Sequence, residues 1–124
     1  MKKKIFLIIT IISLFSLNSF SQVYKFKSTE TDIEAKGKKT QTKYETWYHT
    51  FDFNKKQVTL EKVNSKNEKV KTVYPMKRFY QEGVTHVIVI NQNGVKEVWF
   101  SMKHLGYDLT DGTRLACYNI TNVQ

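Results

Sequence analysis

Little in this chain offers a ready chemical handle. It has one cysteine, Cys117, where an internal disulfide needs two. It has one proline, Pro75, and 5 glycines, so it carries no Pro/Gly-rich linker or low-complexity tract. Acids are outnumbered, 11 Asp+Glu against 20 Lys+Arg. After residue 21 no apolar run approaches the ~20 residues of a membrane-spanning helix. No long segment has the 3.6-residue period of an amphipathic helix. A Gly-rich phosphate loop, a Gly-x-Ser-x-Gly elbow and a closely spaced His or Cys pair are all absent. Those absences remove the usual sequence signs of nucleotide phosphate binding, of serine hydrolase chemistry and of zinc.

What is present begins with an export pattern. Lys2, Lys3 and Lys4 precede a charge-free run from Ile5 to Leu17, and Asn18, Ser19, Phe20 and Ser21 follow. This is the order of a basic head, an apolar stretch and a cleavage site with small side chains. The expectation is a signal peptide over residues 1–21, cut before Gln22, and a secreted or periplasmic product. Ser13 and Ser16 interrupt the apolar run, which is also short for a membrane anchor. The remainder, residues 22–124, is 103 residues long and is expected to be a single domain. Without the three leading lysines it carries 17 Lys+Arg against 11 Asp+Glu, a net +6. Its lysines are scattered and mixed with acids, which suits a solvated outer face and a mild attraction to acidic surfaces.

The mature part reads as strand after strand. β-Branched and aromatic residues come in short runs separated by turn residues. Val23 to Ala35 alternates Tyr24 and Phe26 with Lys25 and Lys27. Thr42 to Phe53 places Trp47, His49, Phe51 and Phe53 on one face. Gln57 to Val63 alternates again. Val70 to Tyr74 meets Pro75, and Met76 to Glu82 either prolongs that strand or turns irregularly toward Gly83. Val84 to Ile90 is apolar on both faces and is expected to be the most buried strand. Val95 to Met102 and Tyr107 to Thr110 follow, with a turn at His104 to Gly106 and a last strand from Thr113 to Ile120. Asn93-Gly94 and Asp111-Gly112 are hairpin signals, since both residues tolerate the positive φ of such turns. The expected fold is all-β: an antiparallel meander of seven or eight strands closing into a small barrel or sandwich, because one open layer would leave an apolar face wet.

Candidate chemistry is sparse. His49, His86 and His104 lie on separate segments, so no metal site and no cofactor is expected. His86, within an apolar strand, reads as a hydrogen-bonded core histidine. Asp108, Asp111 and Gly112 lack the later acid of a calcium loop. Cys117, beside Leu115 in the alternation, reads as a buried small hydrophobe with no cation to favour its thiolate. Tyr24 and Phe26 alternate with lysines, which puts rings and cations on opposite faces and argues against nucleic-acid stacking. The aromatic set Trp47, Phe51, Phe53, Trp99 and Phe100 is either core or the lining of a ligand site.

In size and strand rhythm residues 22–124 resemble the small exported β-domains of bacteria, some of them lipocalin-like. The likeness is compositional and carries no residue roles. The leading expectation is an exported non-catalytic domain that binds a partner macromolecule or cell-envelope component, a protein or a polysaccharide. A lipocalin-like carrier of a small apolar ligand, holding it with the aromatic set, is the second. A small secreted hydrolase is the third, with no catalytic residue assigned to it.

Overall fold

Alternation decides the elements. Along Thr46–Asp52, Trp47, His49 and Phe51 are buried and their neighbours are not. The structure is a computed structural model, and it describes residues 22–90 and 94–123. The expected signal peptide and its cleavage point fall outside the described residues, as does Asn93 of the first hairpin turn. The strands are β1 (Val23–Ser28), β2 (Glu30–Glu34), β3 (Gln41–Lys43), β4 (Thr46–Asp52), β5 (Gln57–Val63), β6 (Lys69–Glu82), β7 (Val84–Val89), β8 (Val95–Phe100), β9 (Leu105–Leu109), β10 (Arg114–Tyr118) and β11 (Thr121–Asn122). The domain is all-β and antiparallel. Its strand order is β11-β1-β4-β5-β6-β7-β8-β9-β10-β2-β3.

The expected closure of seven or eight strands into a barrel or sandwich is corrected by this order. Hydrogen bonding makes one 11-stranded sheet whose end strands, β11 and β3, are not joined by a ladder. The first run, Val23 to Ala35, is not one strand, and its two pieces are not paired with each other. It breaks at Thr29, and its two pieces take different partners: β1 pairs with β4, and β2 with β10. Short segments then extend the two margins, β11 beside β1 and β3 beside β2. Margins of two and three residues offer little template for pairing with another chain. The meander itself holds from β4 to β10, where each strand pairs with the next.

The apolar face is kept dry by bending. Phe51 of β4 stacks on Phe100 of β8 with ring centroids 4.0 Å apart, and Phe26 of β1 lies 5.7 Å from Phe100. His49 and Tyr107 meet in the same way from β4 and β9. The bend runs through β6, whose 14 residues serve two neighbours. Its first half pairs with β5 and its second with β7, and the register shifts between Met76 and Arg78. That irregularity follows Pro75, which has no N–H to give a ladder; its carbonyl still accepts from the Ile90 N–H at 2.9 Å. A bulge there sharpens local twist. Met76 to Glu82 therefore prolongs the strand.

Two local readings change. Val84–Val89 is sixth of the eleven strands, but only Val87 and Val89 are buried; Ile90 is 45% exposed. Its outward residues, His86 and Ile88, are only partly buried, so an apolar run there did not mean two fully covered faces. The turn before β9 is also earlier than expected. Ser101 N–H donates to the His104 carbonyl, the Ser101 hydroxyl accepts from the Lys103 and His104 N–H groups, and β9 starts at Leu105. Gly106 is thus a strand residue. The Trp99 indole lies directly over it, and a Cβ at that position would also sit 2.7 Å from the Leu115 carbonyl oxygen. Gly94 and Gly112 hold φ of 76° and 91°, as hairpin turns require.

Candidate binding surfaces

The inward face runs from a polar stretch to an aromatic end. In the polar stretch His49, 0% exposed, bridges two hydroxyls: Nδ1 lies 2.7 Å from Tyr107 Oη and Nε2 lies 2.8 Å from Ser28 Oγ. A neutral imidazole donates through one nitrogen and accepts through the other, and hydroxyls can take either complement. Burial pushes the His49 pKa down to about 3, because a charged ring has no water there. Burial also holds the Tyr107 hydroxyl well above its ordinary range. The core histidine is therefore His49. The reading of His86 as the core histidine is corrected, since odd-numbered residues of β7 point inward and His86 faces out.

Cys117 is buried beside this stretch. The Thr31 hydroxyl donates to its Sγ at 3.8 Å, and desolvation pushes the thiol up to about 11. At neutral pH it is a thiol, not a thiolate. Lys62 lies opposite Trp47 in the ladder, with its ammonium 4.5 Å from the indole centroid. Burial, then the neighbouring Lys43 charge, lowers its pKa. Among the described residues no group of three or more His, Cys, Asp or Glu side chains converges to hold a metal ion. No helix there is long and apolar enough to cross a membrane.

At the aromatic end the inward residues come into view. Phe79 stands opposite Val87 in the β6–β7 ladder, so both share the inward face. Val87 is 0% exposed, yet Phe79 is 55% exposed. Phe79 packs edge-on against Phe53 at 4.8 Å; Phe53 meets Tyr24 at 5.9 Å, and Tyr24 meets Phe100 at 5.7 Å. A continuous row of rings thus leads from solvent to the Phe51–Phe100 stack. Tyr24, 41% exposed, has a raised pKa from partial burial.

The outward face of β6 to β10 carries its own aromatics. Tyr80 stacks on His86 at 4.6 Å with the rings 9° apart, and Arg78 lies over Tyr80. His86 Nδ1 is 2.6 Å from Glu97 Oε2, and that hydrogen bond holds its pKa above the ordinary histidine range. Trp99 Nε1 donates to Asp108 at 3.4 Å. Asp108 also takes Arg114 Nε at 2.9 Å, and the guanidinium lies over the Trp99 ring.

Of the residues named from sequence, the structure brings Phe51, Phe53 and Phe100 together. Trp47 shares their face but sits further along it, against His49 and Tyr107. Trp99 is on the opposite face. Tyr24 and Phe79 were missed. Tyr24 was legible as the alternation partner of Phe26, but Phe79 sat in the stretch whose strand character the proline obscured. Compared with known proteins, the chain matches no family model, no curated protein sequence and no solved structure. Its likeness to small exported β-domains therefore stays one of size and strand rhythm.

Proposed function

We propose that this chain is an exported, non-catalytic binding domain that grips an apolar side chain of a partner macromolecule at its aromatic end. One observation carries the reading: Phe79 faces inward, at the end of the apolar interior, and is more than half bare. An aromatic ring exposed to water at the end of a packed core gains by covering, and a row of rings gives a rigid surface at low entropic cost. The deeper residues of the expected set serve as foundation. Phe51 and Trp47 are covered by their neighbours and hold the row in place. The export pattern of residues 1–21 supports a role outside the cytoplasm.

A small apolar ligand is the second reading, favoured by the continuity of the ring row into the core. The two separate in one experiment. Ring resonances of the 13C-labelled protein are followed by NMR while N-acetyl-phenylalaninamide or laurate is added. Side-chain docking shifts Tyr24, Phe53 and Phe79 with the amino-acid amide and leaves Phe51 and Trp47 unmoved. An acyl carrier shifts Phe51 and Trp47 with laurate. No shift with either probe removes the proposal. Phe79→Ala is the matching variant: it abolishes the shifts at the remaining rings and leaves stability within about 1 kcal/mol of the parent. Phe51→Ala costs about 3–5 kcal/mol, as for a fully packed ring.

A further inference from the structure

A second surface, independent of the aromatic end, carries a different chemistry. Where β2, β8, β9 and β10 end together, the loop after Glu34 and the turn at Gly112 enclose an open cleft of about 440 Å³. Its lining holds four cationic side chains, Lys36, Lys38, Lys96 and Arg114, against two carboxylates, Glu34 and Asp108. Thr40 and Thr113 also line it. Arg114 is pinned by its Asp108 bond on one side and the Trp99 ring on the other. Its remaining N–H groups are thereby oriented without further ordering cost.

We propose that this cleft binds a segment of an acidic polysaccharide, through carboxylate groups on its sugar rings. Three features select that class. The excess of cations favours an anion, and Arg114 offers planar donors that suit a carboxylate. Glu34, and Asp108 held by Arg114, lower the positive charge of the lining, which suits a uronate chain better than the more densely charged phosphates of a nucleic acid or polyphosphate, and Glu34 can accept hydrogen bonds from sugar hydroxyls. The cleft is also far larger than one phosphate ion and open to solvent, so it has room for sugar rings of a longer chain.

The test is affinity electrophoresis and calorimetry of the mature protein with polygalacturonate, against neutral dextran as control and inorganic phosphate as competitor. Binding to polygalacturonate alone is expected, weakening as salt rises, because exposed charges are screened. The triple variant Lys36→Glu/Lys38→Glu/Lys96→Glu should bind at least about tenfold more weakly. The matched variant Lys55→Glu/Lys66→Glu/Lys77→Glu, with the same net charge, should retain binding. All six lysines are exposed, so both variants should fold, which thermal melts check. Equal loss in the two variants would mean diffuse charge attraction and overturn the proposal. Full competition by millimolar phosphate, equal binding to dextran, or no binding to polygalacturonate would overturn it as well.

Discussion

Acid should destabilise this domain chiefly through His49. His49 is fully buried between Ser28 and Tyr107, and its pKa falls from 6.5 to about 3. In the unfolded chain the ring protonates as pH drops through 6.5; in the folded chain it stays neutral until about 3. Between those limits the unfolded state binds the extra proton, so stability rises with pH and falls on acidification. The loss is about 1.4 kcal/mol per pH unit. It reaches about 3 kcal/mol at pH 4.5 and levels off near 5 kcal/mol below pH 3, against a total of about 5–15 kcal/mol for a domain of this kind. His86 works in the opposite sense. Its raised pKa adds stability below the unfolded value, and that stability is lost as pH rises through the folded one. The assay is urea unfolding at pH 7.5, 6.0 and 4.5 for the parent and for His49→Gln, which keeps a donor and an acceptor but does not titrate. The variant should start less stable by about 1–3 kcal/mol at pH 7.5. It should then lose less on acidification, so the gap between the two changes by about 3 kcal/mol at pH 4.5 in the variant's favour. Parallel losses in parent and variant would refute the reasoning, since carboxylates and His86 titrate alike in both.

Two further outcomes follow from packing. Gly106→Ala should cost about 1–3 kcal/mol by overpacking, because the Trp99 ring lies on it and the Leu115 carbonyl cannot retreat; in a Trp99→Ala background the penalty should shrink, and an unchanged penalty in urea titrations would show that the ring is not the obstacle. Cys117 should react slowly with an aromatic disulfide reagent in the native state and fast in denaturant, its thiol being buried and pushed up to about 11; fast native labelling would contradict its placement.

The strands were legible because their signal is local. Alternation at Trp47, His49 and Phe51, or at Val58 and Leu60, needs only the pleat to be read. Hairpin chemistry at Asp111-Gly112 was equally local: the Asp111 carboxylate accepts the Thr113 N–H at 2.9 Å, and Gly112 takes the positive φ. Partner choice was not legible. Nothing in Val23 to Ala35 marks Thr29 as the point where pairing changes from β4 to β10, since that depends on a strand near the other end of the chain. The exposed face of β7 misled for a related reason. Ile88 is apolar and outward, and only the packing of other elements decides whether an outward side is covered. The site was half legible for the same cause. Ring identity was visible, but the bareness of Phe79 depends on where the facing strands stop.

The buried polar chain explains how such distant surfaces are held in one arrangement. Phe100 at the aromatic end and Lys96 at the cleft are both on β8, about 13 Å apart at 3.3–3.4 Å per residue. A one-residue slip of β8 against its neighbours would turn Phe100 outward and Trp99 inward. Apolar residues alone resist this weakly where both faces carry rings, as here. Tyr107 changes the balance. It pairs with Val98 of β8 and Leu115 of β10, and its hydroxyl is tied to His49 across the core. A slip of β9 would move that hydroxyl away and leave both it and His49 Nδ1 with unmet polar groups, at about 1–3 kcal/mol each. An apolar residue at position 49 would remove that penalty and, with it, the discrimination between registers. The imidazole that makes the domain sensitive to acid thus also holds the register of β9, the strand against which β8 is laid.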